Sequence, residues 1–470
     1  MLTLLLLPIV LMFIVSFFKN KRVNIVLSII SFSILIPIIK LFMMDKPYHL
    51  WGEYLVSDKL GTYVLLVSSI VAIGVTLSLN TLKKHVLVSP KSYRRFYRFF
   101  SIFWIGLILS ILSNNMGIYW IGLELATLST VYMIKTNFTL FASREAWNYM
   151  IVGAIAISLI LFGIILIYAS AKPILGEDAM NFDLLLKVAT EIKSPFLFEI
   201  GFAIVSIGMF VKMGFFPMNL WLANIERASY YPVAALFSGI LESAVMIGFF
   251  RFSKIAKLVN FDHLFIFIFI YMILTIFIVT FLIYRAKDFM RLFSLSGIEH
   301  MALIALFWVS GGIYASLLHF GAHAFLKPAL FLSTGVLESK GKYKIAGALR
   351  GYQGKKGNLF WILVSLFLLA IISLPPSPMF FSELYGFASM MDVAKSGNHL
   401  LAMIMAIFLL LILLSIIFYR FVSIYQSMKY EGEESEKKVY ITELFALVIL
   451  AISLMVLLLP NTTEYLKGIS

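Results

Sequence analysis

"VKMGFFPMNLW", residues 211–221, interrupts a hydrophobic run that is otherwise set to continue. Lys212 follows about sixteen mostly apolar residues, Phe196 to Val211, and Gly214 and Pro217 come within the next five positions. A charge at the middle of a bilayer costs about 2.5–3.5 kcal/mol on insertion scales. A proline removes a backbone hydrogen bond where no water replaces it. Two penalties side by side point to a function that needs a charge and a broken helix together.

The composition supplies the bilayer. Hydrophobic residues make up 61% of the 470-residue chain and charged residues 13%, with a mean hydropathy of +0.97. Soluble domains carry about 25% charged residues, so the chain reads as an all-α integral membrane protein. The chain has no cysteine. That excludes Fe–S clusters, thiolate metal sites and disulfides within it, so no cofactor or metal is expected here and redox centres are expected on partner subunits. The net charge of +14 fits basic loops on one side of a membrane better than a nucleic-acid surface.

Apolar runs predict fourteen transmembrane helices, near 2–17, 24–44, 60–80, 95–113, 116–135, 146–169, 196–215, 232–250, 262–284, 289–309, 313–336, 359–391 (interrupted), 399–425 and 440–459. The first run lacks a basic n-region and a small-residue cleavage site, so it is read as a retained span. Basic residues gather after odd-numbered helices: Lys19, Lys21 and Arg22; Lys83, Lys84, Lys91, Arg94, Arg95 and Arg98; Arg285, Lys287 and Arg291; then six between Lys340 and Lys356. Odd loops therefore face the cytoplasm and both termini lie outside. The stretch 181–192 reads as an amphipathic surface helix.

Two spans are broken, helix 7 at Gly214 and Pro217, and helix 12 at Pro375, Pro376 and Pro378. The breaks lie five helices apart, which points to two inverted five-helix repeats, helices 4–8 and 9–13, with an ion path at mid-membrane. The organisation read from this is 1–94 for helices 1–3, 95–251 and 261–425 for the repeats, and 440–470 for the last helix. Ionisable residues deep in predicted spans are few: Glu124, Lys212, Glu242, Glu299, His300, His319, His323, Lys327 and Glu383. His319, His323 and Lys327, spaced i, i+4, i+8, share one helical face over about 12 Å. Such a stripe can hand a proton along, because histidine titrates near neutral pH. Glu124 is the natural counter-ion for Lys212: a lysine beside a carboxylate holds its proton, and one parted from it in a low-dielectric site gives the proton up. A single buried charge can also close a structural ion pair. Haem ligation is a weaker reading: residues i and i+4 of one helix cannot sandwich one iron, although His300 with either His319 or His323 could.

At these residues the sequence resembles a known family, the antiporter-like subunits of respiratory complex I, of Mrp cation/proton antiporters and of membrane-bound energy-converting hydrogenases. "MGIYWIGLELATLST" (116–130) looks like its helix-5 motif, with Glu124 at the glutamate, and "VKMGFFPMNLWL" its broken helix 7, with Lys212 at the lysine. "PVAALFSGIL" (232–241) is similar to the start of helix 8, and "AKDFMRLFSLSGIEHMALIAL" (286–306) to helices 9–10. The run Ile298-Glu299-His300-Met301 looks most like the hydrogenase-4/formate hydrogenlyase branch. "LHFGAHAFLKPALFLSTGVL" (318–337) is similar to helix 11, and "LPPSPMFFSEL" (374–384) to broken helix 12, with Glu383 at the ionisable position. Three departures stand out: Asn219 replaces a histidine, "ANIERASYY" (223–231) replaces an acidic-histidine stretch, and Ser243 stands where many members carry a helix-8 base, with Glu242 beside it.

Over roughly residues 60–425 the resemblance implies a proton-translocating, or Na⁺/H⁺-translocating, subunit in a prokaryotic cell membrane. Its partners would be the lipid bilayer and other membrane subunits of a redox-driven hydrogenase or complex I type assembly. An Mrp-type antiporter subunit, a subunit powering carbon uptake and a purely structural coupling subunit are the alternatives. Single cysteines test the orientation without background: one at position 465 should label from outside and one at position 90 should not. The reverse pattern would overturn it.

Overall fold

Inside hydrocarbon every backbone amide must be satisfied within the chain, and a sequence this apolar meets that demand with helix. The computed structural model describes residues 1–18, 23–44, 47–85, 90–134, 139–192, 194–259, 262–339, 359–396, 400–427 and 441–469. The basic residues expected in loops at 19–22 and 340–356 lie outside the described residues. Helix occupies part of each of the fourteen segments where it is predicted. Among the described residues, eight helices are long and apolar enough to cross a membrane, and a bent pair, Leu444–Val456 with Pro460–Lys467 at 65°, is a ninth candidate.

In chain order the helices are α1 (Leu2–Val15), α2 (Val23–Ser33), α3 (Leu35–Phe42), α4 (Lys59–His85), α5 (Pro90–Ile111), α6 (Met116–Ile134) and α7 (Leu140–Leu175). Then come α8 (Phe182–Val188), α9 (Pro195–Lys212), α10 (Asn219–Ala228), α11 (Tyr231–Leu236), α12 (Glu242–Val259) and α13 (Asp262–Tyr284). The rest are α14 (Phe289–Val309), α15 (Ile313–Ser339), α16 (Leu359–Ile371), α17 (Pro378–Ser396), α18 (Leu400–Ser427), α19 (Ile441–Val456) and α20 (Pro460–Lys467).

Local chemistry explains where these depart from the apolar runs. α7 starts six residues before its predicted span because Thr139 caps it, its hydroxyl accepting from the Ala142 amide at 3.0 Å. It runs on through Pro173 to Gly176, which has φ 61°. A one-turn π-helix, residues 237–241, joins α11 to α12. α8 falls where the amphipathic helix is expected and buries Phe182 and Leu185. The sequence reading left residues 47–58 without structure. They form an antiparallel hairpin, β1 (Tyr48–Trp51) with β2 (Leu55–Ser57), that pairs Tyr48 with Ser57. Its partners come from elsewhere in the chain, Val56 N–H donating to Leu112 O and Asn114 N–H to Tyr54 O, both at 2.8 Å.

The two predicted breaks share one construction. After α9, Gly214 takes φ 69°, its N–H donates to Val211 O, and the Phe215 N–H reaches back to Phe210 O. After α16, Ser373 takes φ 55°, its N–H donates to Ala370 O, and the Leu374 N–H reaches back to Leu369 O. Both are Schellman ends, which satisfy carbonyls that the helix end would orphan. Each continues with a second turn (Met218 N–H to Phe215 O; Ser377 N–H to Leu374 O) and a cis X-Pro bond, at Pro217 and at Pro376.

The chain divides into two compact units, residues 1–69, 88–221 and 240–267 in the first, and 70–87, 222–239 and 268–470 in the second. In the first, α5 packs on α6 and α7 on α9 with backbones nearly touching. A Cβ on Gly122 would lie 2.6 Å from Ser110 N, and one on Gly163 would lie 2.6 Å from Gly201 O. Small residues at such contacts are how helices associate where lipid is as apolar as leucine. In the second unit, α14 is buried along almost its whole length, whereas α18 exposes Leu401, Met405 and Phe408. Gly163→Ala should therefore cost about 1–3 kcal/mol of stability, because the obstacle is rigid backbone. Gly74→Ala meets only the Leu450 side chain, at 3.4 Å, and should stay within about 0.5 kcal/mol. Thermal unfolding of both variants in detergent checks the difference.

Candidate functional site

Lys212 is the last residue of α9 and is 4% exposed. Its ammonium donates to the Thr127 hydroxyl of α6. Thr127 Oγ1 gives its own hydrogen to Leu123 O at 2.6 Å, so towards the lysine it can only accept. The Tyr149 ring of α7 lies 5.6 Å from the ammonium, in the cation–π range. Tyr149 is itself fixed, by a 3.1 Å hydrogen bond with Thr130 and by stacking on Trp221 at 5.3 Å. The Trp221 indole donates to Val211 O at 2.9 Å, closing the helix break over a carbonyl of the last turn of α9. Glu124 sits one turn before Thr127 on α6 and acts on Lys212 electrostatically. The direct partner is thus a neutral hydroxyl, with the carboxylate a turn away. Glu242, also in the first unit, is buried at the start of α12.

The second unit gathers the remaining candidates. His300 Nδ1 of α14 lies 3.0 Å from His319 Nε2 of α15, and His319 Nδ1 lies 2.9 Å from Ser382 Oγ of α17. Glu299 Oε2 is 3.5 Å from His300 Nε2, and the His323 ring centroid is 6.1 Å from that of His300. Glu383 accepts from the Ser373 hydroxyl, at the left-handed residue of the second break. Lys327 is fully buried and its Nζ donates to Phe293 O at 2.8 Å. The stripe of His319, His323 and Lys327 does lie on one helix, but the bonds recorded for it cross to α14 and α17. His300, His319 and Glu383 bring ligand-type atoms within 4.8 Å of one another.

Sequence reasoning missed Glu226. This residue of α10 is 1% exposed, its carboxyl lies against the Ser294 hydroxyl, and Lys327 acts on it electrostatically. Lys327 is bonded to Phe293, the residue before Ser294, so both side chains reach neighbouring residues of α14. Arg227 to Asp288, 3.4 Å, ties α10 to the first turn of α14, where Asp288 caps the helix. A signal was present: Leu222, four residues earlier, is buried, and helical spacing puts Glu226 on the same face. Polar Asn224 and Arg227 obscured it.

A family model described as "NADH:quinone oxidoreductase/Mrp antiporter, TM" matches residues 113–408. The hydrogenase-4 component F homolog of Methylacidiphilum infernorum is 30% identical over 354 residues, 73% of each chain. A chain of the membrane-bound sulfane sulfur reductase, an archaeal respiratory membrane complex, matches all of this chain and 96% of its own length, with TM-score 0.86 and 20% identity. A chain of the Mrp complex from Dietzia sp. DQ12-45-1b covers 99% of this chain and 96% of its own, with TM-score 0.79 and 14% identity. The chain is a multi-pass membrane protein, an antiporter-like subunit that belongs to the NADH:quinone oxidoreductase/Mrp antiporter family.

Proposed function

We propose that the chain carries protons across a prokaryotic cell membrane as one subunit of a multisubunit complex, powered by redox partners of the hydrogenase or complex I type. One observation carries the reading: each compact unit holds a buried lysine bonded to a neutral oxygen, with a carboxylate within electrostatic reach. Lys212 with Glu124 serves the first unit, Lys327 with Glu226 the second. A buried ammonium resting on a hydroxyl or carbonyl is retained by the nearby carboxylate, and withdrawal of that carboxylate lets the proton go. Glu299, His300, His319, His323 and Glu383 extend the second site towards α17. Glu242 stands next to the missing helix-8 base.

The same reading takes the chain as fourteen spans with both termini outside and helices 4–8 and 9–13 as inverted repeats. The matching Schellman ends, second turns and prolines of the two breaks support it, because paired discontinuous helices mark transporters built from repeats. The name of the Methylacidiphilum relative favours a hydrogenase-type assembly, with other membrane subunits as partners.

Proton uptake in vesicles holding the whole complex tests the lysine sites. Lys212→Ala should reduce it by about two orders of magnitude or more. Glu124→Gln should impair it and Glu124→Asp retain part of it. A structural ion pair predicts otherwise: each single neutral variant destabilises the protein, and the double variant recovers both stability and transport. Normal pumping by the double variant would sink the carrier role of Lys212.

The second site has its own test. Glu226→Gln should lower proton uptake as far as Lys327→Ala does while the complex still assembles. Unchanged uptake in Glu226→Gln would remove Glu226 from the path.

A further inference from the structure

We propose that His300, His319 and Glu383 form a binding site for a divalent transition-metal ion of the Zn²⁺ class, and that the bound ion stops proton transfer through these histidines. The second half rests on the proton-carrying reading; the site itself does not.

The outer partner of His319 sets where its hydrogen lies. Ser382 Oγ donates to Met379 O at 2.7 Å, so towards His319 Nδ1, 2.9 Å away, it accepts. That places the His319 hydrogen on Nδ1 and a lone pair on Nε2. Glu299 Oε2 lies 3.5 Å from His300 Nε2 without a hydrogen bond, so the His300 hydrogen is free to sit on Nδ1, where it is shared with His319 Nε2 at 3.0 Å. A cation that displaces this hydrogen to Nε2 meets two inward lone pairs. Two nitrogens bound to one zinc at about 2.0–2.1 Å with tetrahedral angles stand about 3.3 Å apart, close to what is seen.

Glu383 completes the set, with all three ligand atoms within 4.8 Å of one another. Two imidazoles and one carboxylate leave a fourth position for water, a donor set zinc accepts. Imidazole nitrogen also discriminates against Na⁺, Mg²⁺ and Ca²⁺, which take oxygen. Ser382 holds the outer nitrogen of His319, as the partners of metal-bound histidines do. A cavity of about 650 Å³ is lined by Gly311, Ala315, Tyr385 and Ser389 among others, the last three on the same helices α15 and α17. Ala315 precedes His319 by one turn, and Tyr385 follows Glu383 by two residues. With an ion in place both inner nitrogens are ligated, and neither can take a proton.

Zn²⁺ and Co²⁺ titrations of the whole complex, freed of loosely bound metal by mild chelation and read as differences from the untitrated sample, test the site without reference to activity. One ion should bind per chain, Co²⁺ should give the visible spectrum of a four-coordinate centre, and His300→Ala or His319→Ala should abolish both. Ser382→Ala keeps all three ligands and should weaken binding by about tenfold to hundredfold. His263→Ala, at an exposed histidine that contacts Glu199, should change nothing. No retained ion, a six-coordinate Co²⁺ spectrum, or binding that survives His300→Ala and His319→Ala would each overturn the site, leaving a proton shared between the two nitrogens as the occupant. Proton uptake on the same samples separates the two readings. Uptake by wild type that Zn²⁺ leaves unchanged while it binds would overturn only the arrest of transfer. Zn²⁺ binding in a complex that never takes up protons would overturn only the carrier function.

Discussion

A buried ammonium must be surrounded by oxygen, and among the described residues two such ammoniums each bond a neutral one. Lys212 rests on the Thr127 hydroxyl and Lys327 on the Phe293 carbonyl. Removing a charge from water costs several kcal/mol, and a dipole returns only part of that. The surroundings are arranged to supply the rest. α9 stops at the lysine that needs the space, Tyr149 offers its ring face, and Trp221 adds a second donor to the Val211 carbonyl at the break. Further out, α6 presents Glu124 one turn from Thr127, close enough to favour the cation and too far to hold it rigidly.

The second unit meets the same demand by another route. Its carboxylate comes from α10, and ammonium and carboxylate bond to neighbouring residues of one turn of α14. Its helix break carries no lysine; there the left-handed position is Ser373, whose hydroxyl donates to Glu383. A non-glycine residue in that conformation costs on the order of 1 kcal/mol. Glycine would avoid the cost and leave the carboxylate without its partner.

Much of this was legible in the sequence, and the boundary of what was legible has a physical cause. Helix positions followed from apolar length, which hydrocarbon enforces strictly. Both breaks were visible because glycine and proline are costly in a spanning helix. The buried ionisable residues announced themselves as exceptions to composition. What escaped depended on contacts between distant segments. The hairpin at 48–57 is joined by residues 112–114, far along the chain. Thr127 is one of many hydroxyls, most of which return a bond to their own helix. His319 looked like a member of a stripe along α15, but its partners stand on α14 and α17, which spacing along one helix cannot reveal. Glu226 was hidden by polar neighbours that share its helix but not its face.

The glycine contacts in the first unit also set a clock. Where α7 meets α9, backbone lies close against backbone, flanked by the branched side chains of Ile160, Ile167 and Val205. Concerted helix motion takes microseconds to milliseconds, whereas side-chain rotations take picoseconds to nanoseconds. With the shaft of α9 locked by Gly163 and Gly201, the fast coordinate left to Lys212 is the swing of its own four-carbon arm at the free end of the helix. The slow coordinate is the backbone of residues 214–218, beyond the last helical hydrogen bond, from Met213 N–H to Met209 O. An event confined to the arm can be over long before the backbone around it has moved.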